Sequence, residues 1–377
     1  MYTISSYLAM VTDSVRFGAY REGIEKNTGP GRSFLDLGAG IGLFAMLAAR
    51  AGAKPVYAVE PDVSLDVAKA IARKNGCLDE IEWVSELSSD LNLDERVDVI
   101  AADVSGILPL FQTSLPTLID ARDRLLAPDG VLLPSRDRLF AALAHVPEPF
   151  PFDRDAIASL PFDVTPALPY VLNTSAGVRL DVDALLSQPA EWATLDYGTV
   201  TAPDARGSCR FTAIRSGAAN ALCLWFDREL TGEIGFPNAP GGPRTLYGQA
   251  AFPLEQPLEL AAGDTVAAEI EAHLVEGDYV WRWQTTHMSG SGTRVEMDQS
   301  SIKSRPMNLA LLHQRAVTHQ PNLSQEGHVD GFILSQMNGE ATLTAIAERT
   351  AERFPERFSD SREVLARVAE LSAAYSA

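Results

Sequence analysis

The stretch FLDLGAGIGLFAMLAARAGAKPVYAVE, residues 34–60, constrains the fold of this chain more than any other. A short apolar run carries Asp36 near its end, Gly38, Gly40 and Gly42 turn the chain, a helix-length apolar segment stops at Gly52, and a second short run ends on Glu60. A strand, glycine turn, helix and strand in this order close as a βαβ crossover in a parallel sheet. Glycines at such a turn let a ligand approach the backbone, and an acid ending the next strand can accept both hydroxyls of a ribose. By itself the turn is open to NAD, to FAD or to a plain strand–helix corner.

The alternation continues on both sides. Residues 5–28 read as one helix, with Tyr7, Met10, Val11 and Val15 at helical spacing and NTGPG ending it. SLDVAKAIARKNG (64–76) is a helix, IEWVS (81–85) and VDVIAAD (97–103) are strands, TSLPTLIDARDRLLAP (113–128) is a helix and GVLLPS (130–135) a strand. From about 146 the texture changes. Runs such as SCRFTAIRSG, ALCLWFDREL, TVAAEIEAHL and YVWRWQT, set between turn residues, predict antiparallel strands in a sandwich or barrel. MSGSGTRVEMDQSSIKSRP (288–306) has linker composition, and helical patterns return after it. The last helix carries Val364, Leu365, Val368 and Leu371 on one face, with Ser361 placed to cap it.

Composition excludes several function classes. The net charge of −19 repels polyanions, and no dense Lys/Arg cluster overcomes it, so nucleic acid is not an expected partner. Cys77, Cys209 and Cys223 form no CxxC pair, and the six histidines are scattered, so no metal is expected and a reducing compartment fits. MYTISSYLAMVTDSVRF lacks the pattern of a signal peptide, and no apolar stretch is of membrane-spanning length. The expectation is a cytoplasmic protein with no membrane contact.

The order D-x-G-x-G-x-G, with the acid before the glycines, resembles motif I of class I S-adenosyl-L-methionine (SAM) methyltransferases. Upstream, Met10, Asp13, Arg16 and Tyr20 stand in a Met-x-x-Asp-x-x-Arg-x-x-x-Tyr pattern similar to the helix before motif I in protein arginine methyltransferases. VDVIAADVSG, ARDRLLAPDGVLLPS (121–135) and LLSQPAEWATLDY (185–197) are similar to later segments of that family, in order. The resemblance implies SAM as cofactor, S-adenosyl-L-homocysteine as product, and no metal. It implies Met10, Arg16, Asp36, Gly38, Gly40, Glu60, Leu87 and Ser88 as cofactor contacts, with Arg16 pairing the cofactor's carboxylate, a task suited to a two-pronged donor.

Methyl transfer from a sulfonium needs chiefly a desolvated, aimed acceptor. The family grips a guanidinium with two glutamates; their places are taken here by Asp103 and Gln112, the candidate catalytic pair. The family's Thr-His-Trp loop aligns with Thr245, Leu246 and Tyr247, without the histidine. Tyr7, Thr245 and Tyr247 are candidate substrate contacts, and His145 is another possible base. With one acid shortened and one charge lost, the expectation is a non-guanidine N or O acceptor, arginine methylation being disfavoured.

LSQEGHVDGFILSQMNGEATLTAIAERTAERFPERFSDSREVLARVAEL resembles the PqqD-like domains that recognise leader segments of ribosomal natural-product precursors. The resulting expectation is an α/β protein: a Rossmann-like methyltransferase domain (1–145), an antiparallel β-barrel domain for substrate and dimerisation (146–287), a linker (288–310) and a winged-helix-like helical recognition domain (311–377). A peptide or protein substrate, delivered through leader binding by 311–377, and a homodimer built through FDRDAIASLPFDVTPALPY (152–170) complete it. A methyltransferase of a free small molecule and a non-catalytic SAM-binding scaffold are the alternatives.

Overall fold

The computed structural model describes residues 3–147, 150–288, 292, 294–306, 308–358 and 360–376. The single helix expected over 5–28 is two, α1 (Ile4–Thr12) and α2 (Ser14–Asn27), because Asp13 leaves the helical backbone and its carboxylate accepts from the Arg16 backbone N–H as an N-cap. A cap inside a continuous periodic run gives no signal in the periodicity. α1 buries no residue, whereas α2 buries Arg16, Ala19, Tyr20, Gly23 and Ile24.

Next come β1 (Phe34–Leu37), α3 (Leu43–Arg50), β2 (Val56–Val59), α4 (Ser64–Lys74), β3 (Glu82–Val84), β4 (Val97–Ala102), α5 (Ser114–Asp120) and β5 (Leu126–Leu133). The five strands form a parallel sheet in the order β3-β2-β1-β4-β5. All four residues of β1 are buried, which is why FLDL does not alternate. The order reverses between β1 and β4, the place where open sheets of this kind bind ligands. The helix expected over 113–128 is shorter: α5 passes through a π turn at Ala121–Leu125 and strand begins at Leu126.

β6 (Arg136–Ala144), α6 (Arg154–Ala158), α7 (Leu168–Val171), β7 (Ala176–Val178), β8 (Ala190–Asp196), β9 (Ala205–Thr212), β10 (Gly217–Thr231), β11 (Ile234–Pro237), β12 (Gln249–Leu260), β13 (Thr265–Val275), β14 (Asp278–Met288) and β15 (Arg294–Ser300) follow. The barrel expected here consists of two antiparallel sheets, β7-β12-β10-β6-β8 with β11 on β10, and β15-β14-β13-β9. Phe252 on one sheet meets Trp281 and Trp283 on the other, each at 5.1 Å between ring centroids, a contact that joins the two sheets.

Two expected boundaries are corrected. β6 pairs antiparallel with β10 and β8, so the second part begins near Arg136 and not at 146; the inward phase of its alternation continues that sheet. The linker expected over 288–310 contains β15, paired along β14. Arg294, Glu296 and Asp298 point outward and Met297 and Gln299 inward, so a half-exposed edge strand carries the polar composition of a linker. Residues 289–291, 293 and 307 of that stretch lie outside the described residues. The parallel and antiparallel parts share one apolar core and form one compact unit, Met1–Pro306.

The second unit, Met307–Ala377, holds α8 (Leu309–Arg315), α9 (Gln325–Ser335), α10 (Leu343–Arg353) and α11 (Ser361–Tyr375). Its own core comprises Val329, Ile333, Ile346, Ala347, Val364, Val368 and Leu371. Asp360, not Ser361, caps α11, and Leu365 is exposed beside the buried stripe. Among its described residues there is no strand, so the winged-helix-like description reduces to a helical unit. No helix among the described residues of the chain is long and apolar enough to cross a membrane.

Candidate functional site

A cavity of about 860 Å³ opens around the carboxyl ends of β1 and β4, within the size range of small-molecule sites. Of the residues singled out from the sequence, it brings together Tyr7, Met10, Arg16, Asp36, Gly38, Gly40, Glu60, Asp103, Gln112 and Tyr247. Thr245 is buried outside this wall. Leu87 is exposed, and Ser88 is held by its carbonyl, which accepts from Arg124 Nη2 at 2.7 Å; neither lines the cavity. His145 is also outside it, with Nδ1 3.0 Å from the Ala218 carbonyl oxygen. Among the described residues, no group of three or more His, Cys, Asp or Glu side chains is placed to hold a metal.

One half of the cavity is built by the glycine turn. Gly40 has φ +54, and a Cβ there would stand 2.5 Å from the Tyr7 ring, so only glycine lets the chain pass between that ring and the sheet. The Gly40 N–H donates to Glu60 Oε2 at 2.9 Å and the Asp62 N–H donates to Glu60 Oε1 at 3.0 Å. These two bonds fix the Glu60 carboxylate in the wall while leaving lone pairs for a ligand's hydroxyls. Glycine backbone, a fixed acid and the guanidinium of Arg16 are the donor and acceptor set that a ribose and an amino-acid carboxylate require.

Asp36 lies beneath, fully buried, accepting from the Ala45 N–H at 2.9 Å in the first turn of α3. Burial pushes its carboxyl up to about 7, against the opposing effect of the Ala45 bond. The folded value lies above that of an unfolded aspartate, so the folded chain holds the proton more tightly. The stability this group contributes is therefore full below about pH 4 and is lost as the pH rises towards 7. Asp36→Asn is expected to gain melting temperature relative to wild type as the pH is raised through that window. A difference between the two proteins that stays constant with pH would show that Asp36 carries no such proton.

The other half centres on Asp103, at the end of β4. Arg16 donates to Oδ2 through Nε and pairs with it through Nη2; Tyr247 Oη lies 2.8 Å from Oδ1 and 2.9 Å from Oδ2, and Arg228 Nη1 donates to Oδ1 at 3.1 Å. Burial raises the Asp103 pKa, but Arg16 and Arg228 overcome it and hold the carboxyl below its usual range. Burial likewise opposes the charge on Arg16 and is the largest single effect there, but Asp103 together with Tyr247 and Tyr20 outweighs it, so that its pKa is raised. Gln112 sits on the facing loop at φ +43, a left-handed conformation uncommon for this residue type. Ser114 Oγ ties that loop back by donating to the Val104 carbonyl at 2.7 Å. In the loop that lacks the family's histidine, it is the Tyr247 hydroxyl that reaches the Asp103 carboxylate.

The reading of the sequence missed Arg228, Asp137, Ser105 and Tyr197. Arg228 Nε and Nη2 donate to Asp137 Oδ1 and Oδ2 at 2.9 and 2.7 Å, Nη2 also to Ser105 Oγ at 2.7 Å, and Tyr197 Oη donates to Asp137 Oδ2 at 2.5 Å. A signal was there. Arg228 stands in phase with buried Phe226 and Leu230 on β10, and Asp137 in phase with buried Leu139 and Ala141 on β6. Opposite charges on the inward faces of two strands mark a buried pair.

Residues 22–135 match the family model described as ribosomal protein L11 methyltransferase (PrmA), and residues 160–288 match that of the arginine methyltransferase oligomerization subdomain. The protein arginine N-methyltransferase 6 of Danio rerio is 31% identical over 280 residues, covering 70% of this chain and 80% of that protein. The arginine N(omega)-methyltransferase of Streptomyces achromogenes subsp. streptozoticus is 31% identical over 276 residues, covering 70% and 75%. Among solved structures, the Trypanosoma brucei PRMT1 enzyme–prozyme heterotetrameric complex with AdoHcy superposes with a TM-score of 0.74 at 21% identity, over 79% of this chain and 98% of that one. Arabidopsis thaliana protein arginine methyltransferase 10 gives 0.68 at 23% identity, over 79% and 97%. The expectation of a non-guanidine N or O acceptor is overturned by these relatives, whose names specify arginine. It rested on counting acids, and one acid whose charge is held by two guanidinium groups is not equivalent to a weakened pair.

Proposed function

Because this chain belongs to the protein arginine N-methyltransferase family, we propose that it transfers a methyl group from SAM to a guanidinium nitrogen of arginine, leaving S-adenosyl-L-homocysteine. The observation that carries this reading is the Asp103 carboxylate, held ionised in the wall of a cavity whose other half has the donor set for the cofactor. The cofactor supplies an electrophilic methyl group on a sulfonium; the chain's own groups bind and aim. Arg16 would hold the cofactor's carboxylate, Glu60 its ribose hydroxyls, and the backbone at Gly38 and Gly40 would allow close approach. Asp103 would draw the acceptor's positive charge towards one end of the guanidinium, and the Gln112 amide oxygen would accept an N–H at the other. Phe111 and Leu246 close the wall around them and limit water.

The relatives' names leave two forms of acceptor, arginine in a protein and arginine itself. The helical unit 307–377, outside both matched family models and with its own core, supports the first. Its resemblance to PqqD-like domains makes capture of a peptide segment its proposed task. A homodimer is proposed on the match of 160–288 to an oligomerization subdomain, with exposed Leu160, Phe162 and Tyr170 available to a second copy. Three free cysteines fit the cytosol.

The test is mass spectrometry after incubation with SAM and either free L-arginine or arginine-containing peptides, using the full chain and a form ending at Pro306. The expected result is a methyl increment on a peptide guanidinium by the full chain, weakened in the shorter form. Methylation confined to a non-guanidine atom, or no methylation of either acceptor, would sink the reading.

A further inference from the structure

Asp103 is shorter by one methylene than the glutamate it replaces, and of its two arginine partners only Arg16 lines the cavity. Arg16 is paired with the Asp103 carboxylate and, in the functional reading proposed above, would also serve a second anion, the carboxylate of the cofactor. Arg228 stands elsewhere. Its side chain has no solvent exposure, and Asp137 holds it on the side away from Asp103. Its five N–H groups are all used: Nε on Asp137, Nη2 on Asp137 and Ser105, Nη1 on Asp103 and, at 3.3 Å, on the Tyr20 hydroxyl. The Phe226 and Phe236 rings lie 5.1 and 6.0 Å from its guanidinium carbon, so it cannot swing aside.

We propose that Arg228, seated by Asp137, is a positioning residue for Asp103, keeping that carboxylate aimed into the cavity while Arg16 engages the cofactor. For its turnover readout this rests on the methyl-transfer reading above. A lysine could not substitute, having three donors on a flexible stem in place of five in a planar fork. The groups facing Asp103 are Arg16 and Tyr20 from α2, Tyr247 from the loop before β12, Arg228 from β10 and, across Arg228, Asp137 from β6. Asp137 and Arg228 cancel in charge, so removing both leaves Asp103 with Arg16 and Tyr247 and isolates the positioning effect. Without Arg228 the Asp103 proton is held more tightly, the more so once Arg16 has a second anion to serve.

The experiment uses the full chain carrying Asp137→Asn with Arg228→Met, and separately Arg228→Lys. Three readouts are taken: S-adenosyl-L-homocysteine binding by calorimetry, the pH profile of turnover on an arginine peptide, and the Asp103 carboxyl resonance in ¹³C-aspartate-labelled protein with that ligand bound, assigned with Asp103→Asn. The double variant is expected to bind the ligand within about threefold of wild type, to lose roughly 100-fold in kcat with little change in KM, and to titrate Asp103 and the acid limb at least about one pH unit higher. Arg228→Lys is expected to keep the limb near its place with about a tenfold loss in kcat.

A double variant with the wild-type limb and kcat overturns the proposal. If the double variant does not fold, Arg228→Lys decides, and wild-type kcat in that variant overturns it. If wild type methylates no arginine acceptor, the functional reading fails, and the carboxyl titration still decides whether Arg228 governs Asp103.

Discussion

Asp103→Ala is expected to lose about 10²–10³-fold in turnover and to cost about 3–5 kcal/mol of stability in the first unit, because two buried guanidinium groups lose a shared anion. The stability loss follows from burial. The Arg16 and Arg228 side chains are 6% and 0% exposed, so water cannot replace the carboxylate for either of them. Asp103→Asn keeps the shape but turns an amide N–H₂ towards donors and removes the charge, so it is expected to lose turnover nearly as completely. Denaturant midpoints and single-turnover rates measure the two effects separately. Turnover on an arginine acceptor undiminished in Asp103→Ala would remove this residue from the mechanism.

Arg16→Leu is expected to weaken S-adenosyl-L-homocysteine binding by about 100-fold, the scale of a charge-assisted pair in a desolvated site. Its effect on the fold is expected to be smaller than that of Asp103→Ala, since Asp103 retains Arg228 and Tyr247. Leucine also keeps an apolar body among the Tyr20 and Phe44 rings, on which the Arg16 guanidinium now lies at 5.6 and 5.8 Å. A ligand with the nucleoside and thioether but no carboxylate, 5′-methylthioadenosine, separates the causes. It is expected to bind wild type and Arg16→Leu alike. Equal losses for both ligands would mean that Arg16 shapes the cavity and does not contact a carboxylate.

The parallel sheet and the cofactor half of the cavity were legible in the sequence because each element there declares itself locally. FLDL reads as a buried strand, the glycines as a turn and Glu60 as the end of the next strand, all within 27 residues. Less was legible where one residue type serves two ends. Asp13 breaks a helix that periodicity draws as continuous, and β15 is an edge strand whose outward charges imitate a linker.

The acceptor half was the least legible. Asp103 and Gln112 were found by position, but the partners that set the state of Asp103 come from α2, β10 and the loop before β12, far apart in the chain. Without them the missing second acid reads as a change of acceptor. A carboxylate's behaviour is set by the charges packed around it, and those are tertiary facts.

Asp13 splits α1 from α2, and its second oxygen has a separate partner. One oxygen accepts from the Arg16 N–H at 3.1 Å and the other from the Leu246 N–H at 2.6 Å, next to Tyr247. Arg16 and Tyr247 are both on Asp103, so one carboxylate sets the spacing between two of its partners. Through this carboxylate the loop at 246 and the first turn of α2 are tied to one another directly, and not only through the strands between them. The protein thereby references two distant parts of its site to a single mechanical datum.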